Sequence, residues 1–253
     1  ENIISVFVDE DREEAVKLVS KYNLIAIPVI DREHKLKGII TVDDIIDVME
    51  EEATEDMYKF AGTSEQERDI VQNINKTPIE QIFSSVRARI PWLIITLLAG
   101  LLSSAILSNL DFIMNPKYAS LVFFIPIVLG MGGNIGTQSS ALAVMSLYNK
   151  DIDFNNVIRE AVVGVITGII CSLIVSIIVF LFIKDVNIVL VVTVSLFINM
   201  IVGAVIGGFM PILFKKLDVD PSIISAPVIA TVLDITGIAI YLITTTIILS
   251  KIV

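Results

Sequence analysis

Five long apolar runs fill the second two-thirds of the chain, at 90–108, 119–148, 157–183, 188–214 and 223–250. A spanning helix needs roughly 20 mostly apolar residues, so each run is long enough to cross a bilayer. Inside a bilayer every backbone polar group must find its partner within the segment or a closed barrel, so the runs are expected as five transmembrane helices. Short connections make neighbouring helices antiparallel. Composition agrees: 55% of the 253 residues are hydrophobic and the mean hydropathy is +0.82, too apolar for a water-soluble domain.

Charge divides the chain. Residues 1–90 hold 20 of the 28 acids and 11 of the 18 Lys and Arg, leaving the remainder nearly charge-free. The first third is therefore acidic and water-facing. That balance argues against nucleic acid and fits a cation partner. The single cysteine, Cys171, excludes an intrachain disulfide. No signal peptide is expected, and a start at Glu1 without Met leads us to expect a fragment whose N-terminal part is missing. With the acidic third in the cytoplasm, the inner side carries Arg87, Arg89, Lys150, Arg159, Lys215 and Lys216. The outer side carries Lys117, Lys184 and Lys251, so the basic residues favour this orientation. Trp92 fits an interfacial anchor.

Within the runs, the pairs Gly100 and Ser104, Gly164 and Gly168, and Gly203 and Gly207 have the four-residue spacing that lets helix backbones approach. Asn199, four residues before Gly203, is expected to make a helix–helix hydrogen bond. Two features are less bland. In PIVLGMGGNIGTQSS, Pro126, Gly130, Asn134 and Gln138 are four apart and share one helix face. Facing lipid, the two amides would cost several kcal/mol, about what any unpaired polar group costs there. Facing a water-filled cavity they are satisfied. The glycines are also expected to let this helix bend or partly unwind, freeing carbonyls as oxygen ligands. In APVIATVLDITGIAIYL, Asp234 is the only acid well inside any run. A mid-membrane carboxylate costs at least roughly 2.5–3.5 kcal/mol on insertion scales, so it marks a pore or a counter-charge. Ala226 and Ala230 share its face.

The first third reads strand, helix, strand, strand, helix: ISVFV, DREEAVKLVSKYN, IAIPVID and LKGIITVDDIIDVM. Ala15, Val16, Val19 and Tyr22 form one face of the first helix. His34 sits in the DREHK turn and is given no role. The second helix continues as DDIIDVMEEEATEDMYKFAG, with Ile45, Met49, Ala53, Met57 and Phe60 as an apolar stripe. Its other face is acidic: residues 43–56 hold eight acids and no base. Like charges four apart on a helix repel, and hard divalent ions prefer carboxylate oxygens, so this helix is a candidate cation sensor. Gly62 is expected to stop it. In KTPIEQIF, Thr77, Pro78 and Glu80 form a capping box that starts another helix running into the first apolar run. The expected organisation is 1–62 as an α/β module with its acidic connecting helix, 63–89 as linker and amphipathic helix, and 90–253 as an all-α bundle of five transmembrane helices.

IAIPVID followed by GIITVDDIIDVM resembles a CBS module. That resemblance implies a tandem partner module before Glu1, and ATP or another adenine nucleotide whose ribose would meet Thr41 and Asp44. PIVLGMGGNIGTQSS and DVDPSIISAPVIATVLDITG, preceded by the CBS module and the acidic helix, resemble the MgtE-type magnesium channels. This second resemblance covers nearly the whole chain. It implies a homodimer in the cell membrane, its N-terminal part cytoplasmic, with a pore on the dimer axis lined by the second and fifth spans. It makes Asn134 and Asp234 pore residues. It makes Asp44, Asp47, Glu52, Glu55 and Asp56, with Asp220 at the inner end of the fifth span, carboxylates that sense Mg²⁺. The rivals are a CBS-regulated transporter of another divalent ion such as Co²⁺, and an intramembrane aspartyl protease, which needs two carboxylates sharing a proton.

Overall fold

A computed structural model describes residues 3–63, 77–108, 118–149, 154–217, 219 and 226–250. The chain forms two compact units, Glu1–Tyr58 and Lys59–Val253.

The first unit follows the expected order: β1 (Val6–Phe7), α1 (Arg12–Tyr22), β2 (Ala26–Ile30), β3 (Leu36–Thr41) and α2 (Val42–Phe60). Asp11 starts α1 by accepting the Glu13 backbone N–H at 3.0 Å. Asn23 ends it in the left-handed region. The sheet order is β1-β2-β3. The pair β1–β2 is parallel with Val6 opposite Val29; the pair β2–β3 is antiparallel with Ala26 opposite Thr41. Val6, Ala15, Val19, Ile27 and Ile45 make the core. Two expectations fail here. Tyr22 is exposed, and Lys21 lies over its ring at 5.4 Å. In the apolar stripe of α2, only Ile45 is buried; Met49, Ala53 and Met57 are exposed. At 19 residues the helix is ~28 Å long and outruns the small sheet that covers its first turns.

The second unit contains five helices long and apolar enough to cross a membrane. They are α3 (Pro78–Ser108), α4 (Ile125–Asn149), α5 (Asn155–Ile183), α6 (Val186–Lys216) and α7 (Ala226–Ser250). The capping box is present: the Thr77 N–H donates to Glu80 Oε2 at 3.0 Å, and the Glu80 N–H donates to Thr77 Oγ1 at 3.4 Å. The amphipathic helix and the first apolar run are one helix, with Pro91 inside it. A 3₁₀ segment, Ala119–Phe124, leads into α4. From there α4 is unbroken α-helix, so the expected unwinding at its glycines does not occur.

Gly132 and Gly136 serve packing against α6 instead, whereas a Cβ on Gly130 or Gly133 would meet nothing within 4 Å. A Cβ on Gly203 would fall 2.5 Å from the Gly132 carbonyl oxygen, and one on Gly207 would fall 2.0 Å from that of Gly136. The two backbones touch directly, which only glycine permits. Gly164 and Gly168 do the same work between α5 and α6, against Ala204, Met200 and Phe197. Gly100 and Ser104 do not: nothing lies within 4 Å of a Cβ on Gly100, and Ser104 is exposed while Ser103 is the buried serine of α3. The bundle is built around α6, which buries Val191, Val192, Leu196, Asn199, Met200 and Ala204. Asn199 makes the expected interhelical bond, donating from Nδ2 to the Val128 carbonyl of α4 at 2.6 Å. Tyr241 ties α7 to the 3₁₀ segment by donating to the Leu121 carbonyl at 2.7 Å. Gly62, just beyond α2, has φ +75°, and a Cβ there would meet Pro227 Cγ at 2.7 Å, so the position demands glycine twice over.

Candidate functional site

Pro126, Gly130, Asn134 and Gln138 all lie exposed along one face of α4. The opposite face of the same helix is packed on α6. On α7, Asp234 is exposed beside the buried Leu233. Two contacts fix how these helices run past each other. A Cβ on Gly136 would meet Leu233, and one on Gly237 would meet Leu129. The helices are thus antiparallel, and the register places Asn134 and Asp234 within about one helical turn, ~5 Å, of the same depth. Among the described residues, neither the Asp234 carboxylate nor the Asn134 side-chain amide has a protein partner. The exposed positions of α3 and α5 differ in kind. Leu93, Leu97, Leu98 and Leu101 on α3, and Ile166, Ile170, Leu173 and Ile177 on α5, are apolar, as a lipid-facing surface requires. A face with a carboxylate, two amides and a bare glycine is not such a surface.

A second acid in the spans escaped sequence reasoning. Glu160, in the second turn of α5, is only 5% exposed. Ser139 of α4 donates to its Oε2 at 2.8 Å, and Arg159 donates to its Oε1 at 3.1 Å. Gly208 of α6 packs against its side chain. A buried carboxylate needs such partners, and here they join three helices next to Gln138. Nearby, Lys215 of α6 donates to the Leu147 carbonyl at 2.8 Å, and Asn156 donates to Ser146 Oγ at 2.9 Å. The signal that could have found this node is Glu160 following Arg159 in a run otherwise free of charge.

The expected sensing carboxylates stand along α2. Asp44 is engaged at the helix start: its Oδ2 accepts the Thr41 hydroxyl at 2.6 Å and the Thr41 N–H at 3.3 Å. The Thr-x-x-Asp element thus closes on itself as a cap. Asp47 is exposed, and Glu55 and Asp56 are half-buried. The acidic face is also less bare than its sequence suggests. Arg12 of α1 reaches across to Glu51 at 3.1 Å and Glu52 at 3.0 Å. Burial holds the Glu52 carboxyl above the usual carboxylate range, against the opposing pull of Arg12 and with help from Glu55. Among the described residues no three His, Cys, Asp or Glu side chains converge as a metal-binding group. Asp220 lies outside the described residues.

A family model described as a divalent cation transporter, MgtE, matches residues 125–244. A CBS domain model matches residues 1–51. Curated relatives agree with both along nearly the entire chain. The magnesium transporter MgtE of Thermus thermophilus is 34% identical over 250 residues, 95% of this chain and 52% of the relative. The chain belongs to the MgtE family. The magnesium transporters MgtE of Bacillus subtilis and Enterococcus faecalis are similar to it at 36% and 32% identity, over 94% and 95% of the chain and 52% of each relative. The chain spans about half the length of the curated relatives it matches. MgtE matches cover α4 to α7, the helices that carry Asn134, Glu160, Asn199 and Asp234. With five candidate spans, this is a multi-pass membrane protein, and its family is one of transporters rather than enzymes.

Proposed function

We propose that two copies of this chain form the conducting part of a Mg²⁺-selective channel in the cell membrane, gated from the cytoplasm by Mg²⁺ itself. One observation carries the reading: Asn134 and Asp234 are exposed, without a partner among the described residues, and at matching depth on helices that otherwise pack an apolar bundle. An intramembrane carboxylate is costly and is kept where it meets an ion path. A homodimer axis through this face gives two Asp234 carboxylates facing each other, flanked by two Asn134 amides. Mg²⁺ sheds its water reluctantly and is held through its shell by one or two carboxylates. Because α4 stays helical, its carbonyls remain spent on the helix, and the shell is met by side chains.

Gating follows from the acidic helix. At high cytosolic Mg²⁺, ions bridge Asp44, Asp47, Glu52, Glu55 and Asp56 to carboxylates near the pore mouth such as Asp220, favouring the closed state. At low Mg²⁺ the acidic surfaces lack bridging ions, repel one another, and the pore opens. The CBS unit leaves Ile25, Leu36 and Ile39 exposed, an apolar surface that a second CBS module would cover. An adenine nucleotide at this unit would compete with the Thr41 hydroxyl for Asp44 Oδ2.

The test is uptake into liposomes by the full-length protein, against a panel of divalent ions. Asp234→Asn should abolish or sharply reduce Mg²⁺ uptake while the protein still inserts and folds. Asn134→Leu should reduce conduction, because an apolar side chain cannot meet the ion's water. Wild-type flux in a folded Asp234→Asn protein would remove the pore assignment. Uptake of Co²⁺ that outcompetes Mg²⁺ would favour a transporter of another divalent ion.

A further inference from the structure

Asn199 is completely buried, yet only half of its amide is used. Its Nδ2 donates to the Val128 carbonyl, while its Oδ1 is buried without a hydrogen-bond partner among the described residues. Two glycines from two other helices make room for it. A Cβ on Gly132 of α4 would fall 2.3 Å from Nδ2, and one on Gly237 of α7 would fall 3.1 Å from Nδ2 and Oδ1 alike. Gly132 lies two residues before Asn134, and Gly237 lies three residues after Asp234. One side chain from α6 is therefore wedged between the two helices that carry the exposed polar residues, at their level.

Packing alone does not account for an asparagine there. Leucine has the same branched outline of four heavy atoms and carries no oxygen to bury. Apolar groups of the same shape in place of both partners of a buried hydrogen bond are nearly neutral, whereas an unpartnered buried acceptor is unfavourable. The Val128 carbonyl, moreover, already serves the helix, so the Asn199 bond adds to it and fixes a direction. We propose that Asn199 is a positioning residue that sets the rotation and separation of α4 and α7, and through them the geometry in which Asn134 and Asp234 meet the ion. This rests on the conduction reading above.

The experiment compares full-length protein variants in liposomes, reading the Mg²⁺ half-saturation, the Mg²⁺/Co²⁺ uptake ratio and the thermal midpoint before reconstitution. Asn199→Leu should stay folded with a lowered midpoint, because its methyl must move off the Val128 carbonyl, while shifting half-saturation or the uptake ratio by at least about threefold. Gly132→Ala, whose added methyl meets only Asn199 among its nearest atoms, should shift them in the same way with a lowered midpoint. The double variant Gly132→Ala, Asn199→Ala should recover the midpoint but not the ion preference. If ion preference returns together with the midpoint, or if Asn199→Leu folds and transports like wild type, Asn199 only fills space. If Asn199→Leu does not fold, the Gly132→Ala pair decides alone. Asp234→Asn run in parallel separates the two readings: its full activity would overturn the conduction reading, whereas its inactivity beside a normal Asn199→Leu overturns only the role of Asn199.

Discussion

Ser139 on α4 donates its hydroxyl proton to Glu160 Oε2 on α5 across 2.8 Å, and both side chains are buried. Ser139 directly follows Gln138 of the exposed polar face, so this pair anchors the reverse side of the helix that carries Asn134. Ser139→Ala would leave a buried carboxylate oxygen without its donor, a loss of roughly 1–3 kcal/mol. Glu160→Gln keeps shape and an acceptor and should cost less. Thermal unfolding of the detergent-solubilised protein measures both, and a Ser139→Ala midpoint equal to wild type would mean that the bond contributes nothing.

The glycines separate into two groups that a melting experiment can tell apart. Gly207→Ala would push a methyl to 2.0 Å from the Gly136 carbonyl oxygen. Backbone cannot yield as a side-chain tip does, so overpacking should cost about 1–3 kcal/mol or more. Gly100→Ala meets nothing within 4 Å and should be neutral or stabilising by up to ~1 kcal/mol, through helix propensity. Equal midpoints for the two variants would contradict the close α4–α6 contact.

What could be read from the sequence was local. The span limits were legible because apolar runs end at charges and prolines. The face shared by Asn134 and Gln138 followed from four-residue spacing, and the Thr77–Glu80 box from its short pattern. What stayed hidden depended on partners far along the chain. The glycines of GMGGNIG suggested unwinding because Gly203 and Gly207, which Gly132 and Gly136 touch, lie some seventy residues away. Glu160 could not be matched with Ser139 without knowing that α4 and α5 meet. The acidic face of α2 looked unrelieved because Arg12 reaches it from 39 and 40 residues earlier. Met49 and Met57 form a helical stripe in sequence, yet the first unit has nothing long enough to cover them.

Arg12 gives that acidic face a pH dependence. Burial raises the Glu52 carboxyl above its ordinary value, and Arg12 opposes this. A carboxyl raised in the folded state favours folding fully below its unfolded value of ~4.3, and that contribution is lost as pH rises through the raised folded value. Arg12 limits the loss. Arg12→Gln should therefore lower stability near pH 7 by up to ~1 kcal/mol, the scale of an exposed ion pair, and have much less effect near pH 4. It also frees Glu51 and Glu52 for cations, so Mg²⁺ should raise the variant's thermal midpoint at pH 7 more than it raises that of wild type. An identical pH profile and Mg²⁺ response would show that Arg12 does not occupy these carboxylates in solution.

Replacing Asp44, Asp47, Glu52, Glu55 and Asp56 with Asn or Gln tests the sensing role of α2 directly. The amide at position 44 can still accept the Thr41 hydroxyl, so the helix start is preserved. Two effects compete. Loss of the carboxylates removes the ion bridges that favour the closed state, and it also removes the repulsion that opens the pore. At high Mg²⁺ the wild type has both bridges and screened charge, whereas the variant has only the absence of repulsion. Its closed state should therefore be less favoured, with residual flux at Mg²⁺ levels that shut the wild type. A ligand shifts a two-state equilibrium only by its differential affinity for the two states, so the variant's protease sensitivity should also lose its Mg²⁺ dependence. Both are measured on the full-length protein. Closure of the variant at the wild-type Mg²⁺ concentration would make α2 a solvated acidic face, with the sensor elsewhere.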